Sequence, residues 1–96
     1  MVAKTALMDT VFYDETPADE GEECEIRING NVIVLSYKDD NGVVIYEGKD
    51  KGHGHFVLKC PERQARATLH RIPNSKFLEG YWIEEGERGF WRITLP

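Results

Sequence analysis

The sequence is short of the residues on which most catalytic and redox chemistry is built. Its 96 residues hold two cysteines, Cys24 and Cys60, in no metal-ligand or dithiol spacing. They read as buried, reduced thiols. Serine occurs twice, as Ser36 and Ser75. Ser75 follows Pro73-Asn74, where a hydroxyl ordinarily serves the backbone of a turn. There is no phosphate-cradling loop, no dinucleotide fingerprint, no His-Glu-x-x-His and no Gly-x-Ser-x-Gly. No apolar run approaches the length needed to span a bilayer as a helix. Met1 to Asp9 carries neither a sustained apolar segment nor a cleavage pattern. The expectations are a cytoplasmic protein, no membrane partner and no cofactor.

Positive charge is also scarce. Acids outnumber bases 17 to 12, for a formal net charge of -5. A phosphate backbone is repelled on average by such a surface, so no nucleic-acid partner is expected. Arg63, Arg66 and Arg71 are the one local basic grouping, and a solvated strand edge explains them equally well.

What the chain does have is alternation. From Cys24 onward, apolar and polar residues alternate with period two, and the runs 24–28, 32–38, 43–48, 54–60, 64–71, 77–84 and 89–95 read as strands. Asn29-Gly30 and Asn41-Gly42 are two-residue hairpin signals. The other links are short, so successive strands are expected to pair antiparallel. Residues 1–21 are set apart as an N-terminal segment and acidic loop, with 22–96 as the β domain. Leu7, Met8, Val11 and Phe12 fit one stripe of a short helix, but the β-branched and aromatic content of the segment fits a strand as well.

One face of every strand is apolar: Ile26, Leu35, Tyr46, Leu58, Leu69, Trp82 and Ile93 belong to it. Strands sharing such a face must curl to bury it. The fold class is therefore all-β, a small antiparallel meander closing into a seven- or eight-stranded barrel or a strongly bent sheet. Leu78-Glu79-Gly80-Tyr81-Trp82, followed by Gly89-Phe90-Trp91-Arg92-Ile93, resembles the Gly-aromatic strands of small up-and-down barrels such as avidins and lipocalins. The resemblance implies a fold class only; the lipocalins' N-terminal Gly-x-Trp signature is absent, and no ligand contact carries over.

Three groups of residues are candidates for function. Trp82, Trp91, Tyr37 and Tyr46 line the barrel interior, as walls of a pocket for a small apolar ligand or as its filling; short barrels are usually filled. Val32, Val34, Val43, Ile45 and Val57 are apolar yet alternate outward, a patch for a partner protein or a second copy. The third group rests on register. Pairing Tyr46 with Phe56, Phe56 with Leu69, Leu69 with Gly80 and Trp82 with Trp91 aligns Ser36, Glu47, His55, His70, Glu79 and Thr94 in one outward row. His55 and His70 between Glu47 and Glu79 suit general acid–base chemistry, or a metal with His53 as third ligand. A solvent-facing ladder of charges is the plain alternative.

These observations favour a small non-enzymatic binding or protein-interaction barrel that self-associates, with an outer patch covered by a second copy or by the N-terminal stripe. The competing reading is a small metal-binding or acid–base enzyme using the His/Glu row.

Overall fold

A computed structural model describes residues 3–96. Eight strands run in chain order around a closed antiparallel barrel: β1 (Lys4–Phe12), β2 (Asp19–Asn29), β3 (Val32–Asp39), β4 (Gly42–Asp50), β5 (His55–Cys60), β6 (Ala65–His70), β7 (Phe77–Glu84) and β8 (Glu87–Thr94). The N-terminal segment is the eighth stave. β1 pairs with β2 on one side and β8 on the other, closing the sheet on itself. Strand periodicity wins over the helical stripe: Ala6 and Met8 are buried with Thr10, while Leu7 and Val11 face solvent. The division at residues 21 and 22 falls inside β2, so the acidic segment is partly wall: the β1–β2 loop spans only 13–18.

Alternation places the core as the apolar pattern requires. Ile26, Ile33, Leu35, Leu58, Leu69, Leu78 and Ile93 are at most 1% exposed. Each such side chain contributes roughly 1.5–3 kcal/mol by leaving water. Four loops gather at one end of the barrel, and three loops with the chain termini at the other. The four-loop end carries the β1–β2, β3–β4, β5–β6 and β7–β8 links. A single 3-10 turn, Pro61–Arg63, makes the β5–β6 link, and Arg63 reaches Asp39 at the foot of β3 in a bidentate contact of 2.8 and 3.2 Å.

Two turns sit one residue away from their sequence signals. Asn29 pairs with Val32, leaving Gly30-Asn31 as the turn, and Asp39 pairs with Gly42, leaving Asp40-Asn41. Gly42 has φ 117 while Asp40 and Asn41 keep negative φ. That fits a glycine closing the turn from the strand side rather than forming its centre.

Larger shifts occur elsewhere. Tyr46 does not oppose Phe56: β4 continues to Asp50, which does, and Glu47 opposes Lys59. Trp82 does not oppose Trp91 either. The β7–β8 hairpin is tighter, turning on Glu85-Gly86, so Gly80 opposes Trp91 and Trp82 opposes Gly89.

Candidate functional site

The barrel wall opens where β2 and β3 part. Their ladder covers only Glu25–Asn29 against Val32–Ser36. Beyond it, β2 from Asp19 to Cys24 pairs with β1 alone. A bulge helps β2 swing away: Met8 opposes Glu22 but Thr10 opposes Asp19, one extra residue on β2, and the Gly21 N–H in that bulge donates to Asp9 Oδ1 at 2.8 Å. The result is a cleft of about 360 Å³ between β2 and the end of β3.

Its floor is aromatic. Trp82 and Trp91 stack at 5.9 Å between centroids and 27° between planes. Phe12 meets Trp82 edge-on at 5.5 Å, and Tyr37 meets Trp91 edge-on at 6.0 Å. Behind them Tyr46 packs on Trp91 at 5.1 Å. Trp82, Trp91 and Tyr46 are at most 3% exposed. The aromatic group identified from sequence therefore both fills this end of the barrel and supplies the wall of a cleft; Tyr46 belongs to the filling.

Each tryptophan lies across the ladder from a glycine for a steric reason. A Cβ on Gly89 would fall on the Val11 carbonyl and within 2.7 Å of Trp82 Cζ2, and one on Gly80 would collide with the Thr68 carbonyl. Gly89 thus opens space for the Trp82 ring, while Gly80 lets β7 approach the β6 backbone closely beside Trp91 across the ladder.

One inward carboxylate organises the polar side of the floor. Tyr37 and Tyr46 both donate to Glu84 Oε1, at 3.1 and 2.8 Å. Burial, and after it the adjacent Glu84 charge, pushes the Tyr37 hydroxyl well above its ordinary range. For Tyr46 burial again dominates, followed by Tyr37 and Glu84. Both therefore remain protonated donors, and among the described residues none donates to Glu84 Oε2. Among the described residues the one buried side-chain nitrogen or oxygen without a hydrogen-bond partner is Trp82 Nε1.

The rim is acidic. The cleft lining includes seven carboxylates and one ammonium group, that of Lys38. Asp39 is held by Arg63, which depresses its pKa chiefly by hydrogen bonding. Glu84, Glu22 and Glu87 were not singled out in the sequence. They share inward parity with Trp82, Cys24 and Trp91, and that was the available signal.

The histidine row survives only in part. His55 opposes His70 and His70 opposes Glu79, as the register argument required. The imidazoles are bonded, Nδ1 of His55 to Nε2 of His70, at 2.7 Å. Glu47 is not among them, being four residues away along β4 and opposite Lys59. Ser36 opposes Ile45, Thr94 opposes Phe77, and Arg92 takes the place beside Glu79, bonding it at 3.1 Å. His53 has φ 56 in the turn before β5, so the extended spacing that would align it with His55 is broken. Among the described residues no three His, Cys, Asp or Glu side chains gather as a metal-holding group.

The outer valines are also redistributed. Val32, Val43 and Ile45 are 40–56% exposed, whereas Val34 and Val57 are half-buried. Val57 opposes Lys49 rather than Ile45. β1 lies in the wall between β2 and β8 and does not cover this face. Cys24 and Cys60 are buried and unbonded. No helix among the described residues is long and apolar enough to cross a membrane.

No family model matches the sequence, and no curated protein or solved structure matches it.

Proposed function

We propose that the chain is a small non-enzymatic binding module whose ligand enters the cleft between β2 and β3. The observation that carries this reading is Trp82 Nε1, a buried indole donor with no acceptor in the wall of an aromatic cleft. A buried polar group left unpaired costs about 1–3 kcal/mol. A ligand that wedges against the rings, shifts the Trp82 indole enough to reach this closed-off nitrogen and offers it an acceptor recovers that cost, which is how a mostly apolar site with few polar groups gains orientation. The test is a screen of small flat aromatic compounds against the ¹⁵N-labelled protein. Compounds that bind here move the Trp82 indole N–H resonance together with amides of Asp19–Glu23. If no compound moves these resonances at millimolar concentration, the reading fails.

Self-association is a second activity favoured by a separate observation. The β4–β5 ladder stops at Glu47 and Lys59, so Gly42–Tyr46 has no strand partner on that side, and Val43 and Ile45 are exposed there. An antiparallel pairing of this edge with its copy, centred on Val44, sets Val43 against Ile45 of the second molecule twice over. Such self-complementary contacts are the commonest oligomeric solution, and a free edge is a template for pairing. Sedimentation of wild type and Ile45→Lys tests it: the wild type is expected to dimerise and the variant to remain monomeric. A wild type that is monomeric at high micromolar concentration overturns it.

A further inference from the structure

We infer that the ligand of this cleft is a small organic cation, an amine carried on a flat apolar body. The inference rests on the cleft being a binding site and adds the chemistry of the occupant. Three independent features point the same way.

The first is the charge that surrounds the aromatic floor. Seven carboxylates line the cleft against Lys38 alone, and among the described residues only Asp39 of the seven is ion-paired, to Arg63. The rings offer their negative faces to a cation as well. An anionic ligand would meet repulsion from nearly every side.

The second is Glu84. Its Oε1 already accepts from both tyrosine hydroxyls, which fixes the carboxylate, while Oε2 has no donor among the described residues. A half-buried carboxylate with one oxygen committed and one free is prepared for a charge-assisted hydrogen bond from an ammonium group. Tyr37 and Tyr46 cannot supply a counter-charge, since both stay neutral.

The third is the Trp82 donor, which is 3% exposed and unpartnered. Once a ligand shifts the ring enough to expose it, it takes an acceptor on the ligand's apolar body at some distance from the cationic end. The acidic rim alone would be a solvated surface; the buried donor and the committed carboxylate make it a site with two polar requirements of opposite kind. The size fits as well. A cleft of about 360 Å³ lies at the lower end of the range typical of small-molecule pockets.

The test is a charge series on one body at neutral pH: phenethylammonium, 2-phenylethanol and phenylacetate, with a capped lysine peptide as a fourth probe. Titrations are followed by calorimetry and by the Trp82 indole resonance. Phenethylammonium is expected to bind roughly tenfold more tightly than the alcohol, and phenylacetate not at all. The cation's affinity falls several-fold on raising salt from 0.05 to about 0.5 M, and the alcohol's does not. Glu84→Gln keeps an acceptor for the tyrosines, lowers the cation's affinity about tenfold and leaves the alcohol's unchanged. Glu87→Gln, on the exposed rim, checks the charge effect without touching the core.

If cation and alcohol bind equally and without salt dependence, the cleft is a binding site and the cation assignment is overturned. Binding of the lysine peptide with none of phenethylammonium also overturns it, in favour of a basic protein segment. If none of the four probes moves the Trp82 resonance, the cation assignment is overturned too, and the screen above decides whether the cleft binds anything.

Discussion

Gly80 and Gly89 are where single residues decide the shape of the site. Each lies opposite a tryptophan, and each would drive a Cβ into a backbone carbonyl of the neighbouring strand. Gly80→Ala must therefore move backbone rather than a flexible side chain, an overpacking cost of about 1–3 kcal/mol. The expected result is a melting temperature lower by roughly 4–8 °C for each kcal/mol, with altered tryptophan emission. Gly86→Ala offers a contrast, because nothing lies within 4 Å of its added Cβ and only its positive φ opposes it. An unchanged melting temperature for Gly80→Ala would refute the close approach of β7 to the Thr68 carbonyl. The thiols give a second expectation at this scale. Burial raises Cys24 to about 11, so it reacts slowly with a thiol reagent at pH 8 in the native protein and readily in denaturant. Fast native labelling of Cys24 would show that the β1–β2 side of the barrel opens.

At the scale of elements, the sequence made faces legible and partners much less so. Every inward residue read from the alternation is buried or half-buried, including Ile28, Tyr37 and Leu95 at the margins. The pairing errors were even-numbered: Tyr46 was four residues from the true partner of Phe56, and Trp82 two from the true partner of Trp91. An even slip preserves parity, so the core was unaffected while the polar row lost Ser36, Glu47 and Thr94. The physical cause is local. β4 runs through Lys49 and Asp50, which look like loop residues, and the last hairpin turns on two residues rather than four. The first strand was ambiguous because a nine-residue segment with apolar residues at 7, 8, 11 and 12 satisfies both periods until a neighbour exists on each side. Its role predicts that deleting residues 1–13 opens the barrel: the truncated chain is expected to lose cooperative melting, and a sharp transition near the wild-type temperature would contradict that. The Arg63–Asp39 contact links the β5–β6 turn to the end of β3. Because Arg63 lowers the folded pKa of Asp39, the stabilisation is complete above the unfolded value near 3.9. It is lost as pH falls through the lowered value. Wild type and Asp39→Asn should therefore differ in melting temperature at pH 7 and converge as the pH falls through the lowered value.

The whole molecule is a closed barrel with two incomplete seams, and both lie toward the end that carries the cleft. On β2, Asp19–Cys24 lacks β3; on β4, Gly42–Tyr46 lacks β5. That end is also where the inward face turns from apolar to acidic, through Glu22, Asp39, Glu84 and Glu87. This change of character along one parity was present in the sequence. It became a site only when closure brought four separate strands to the same mouth, which no local pattern encodes. Backbone exchange should map the same division. In an antiparallel ladder alternate N–H groups point to opposite neighbours, so the amides of 19–24 that face away from β1 have no strand acceptor. They are expected to exchange rapidly, as are those of 42–46 that face away from β3, while amides of the complete β6–β7 ladder exchange only through global opening. Saturating phenethylammonium should slow exchange at 19–24 by covering that seam, and slow β6–β7 exchange only as far as binding stabilises the folded state. Protection at 42–46 should instead rise with protein concentration, because a second copy pairs there. Uniform protection along β2 and β4 in dilute, ligand-free protein would mean that both seams are closed in solution, and the cleft and the dimer edge would fall together.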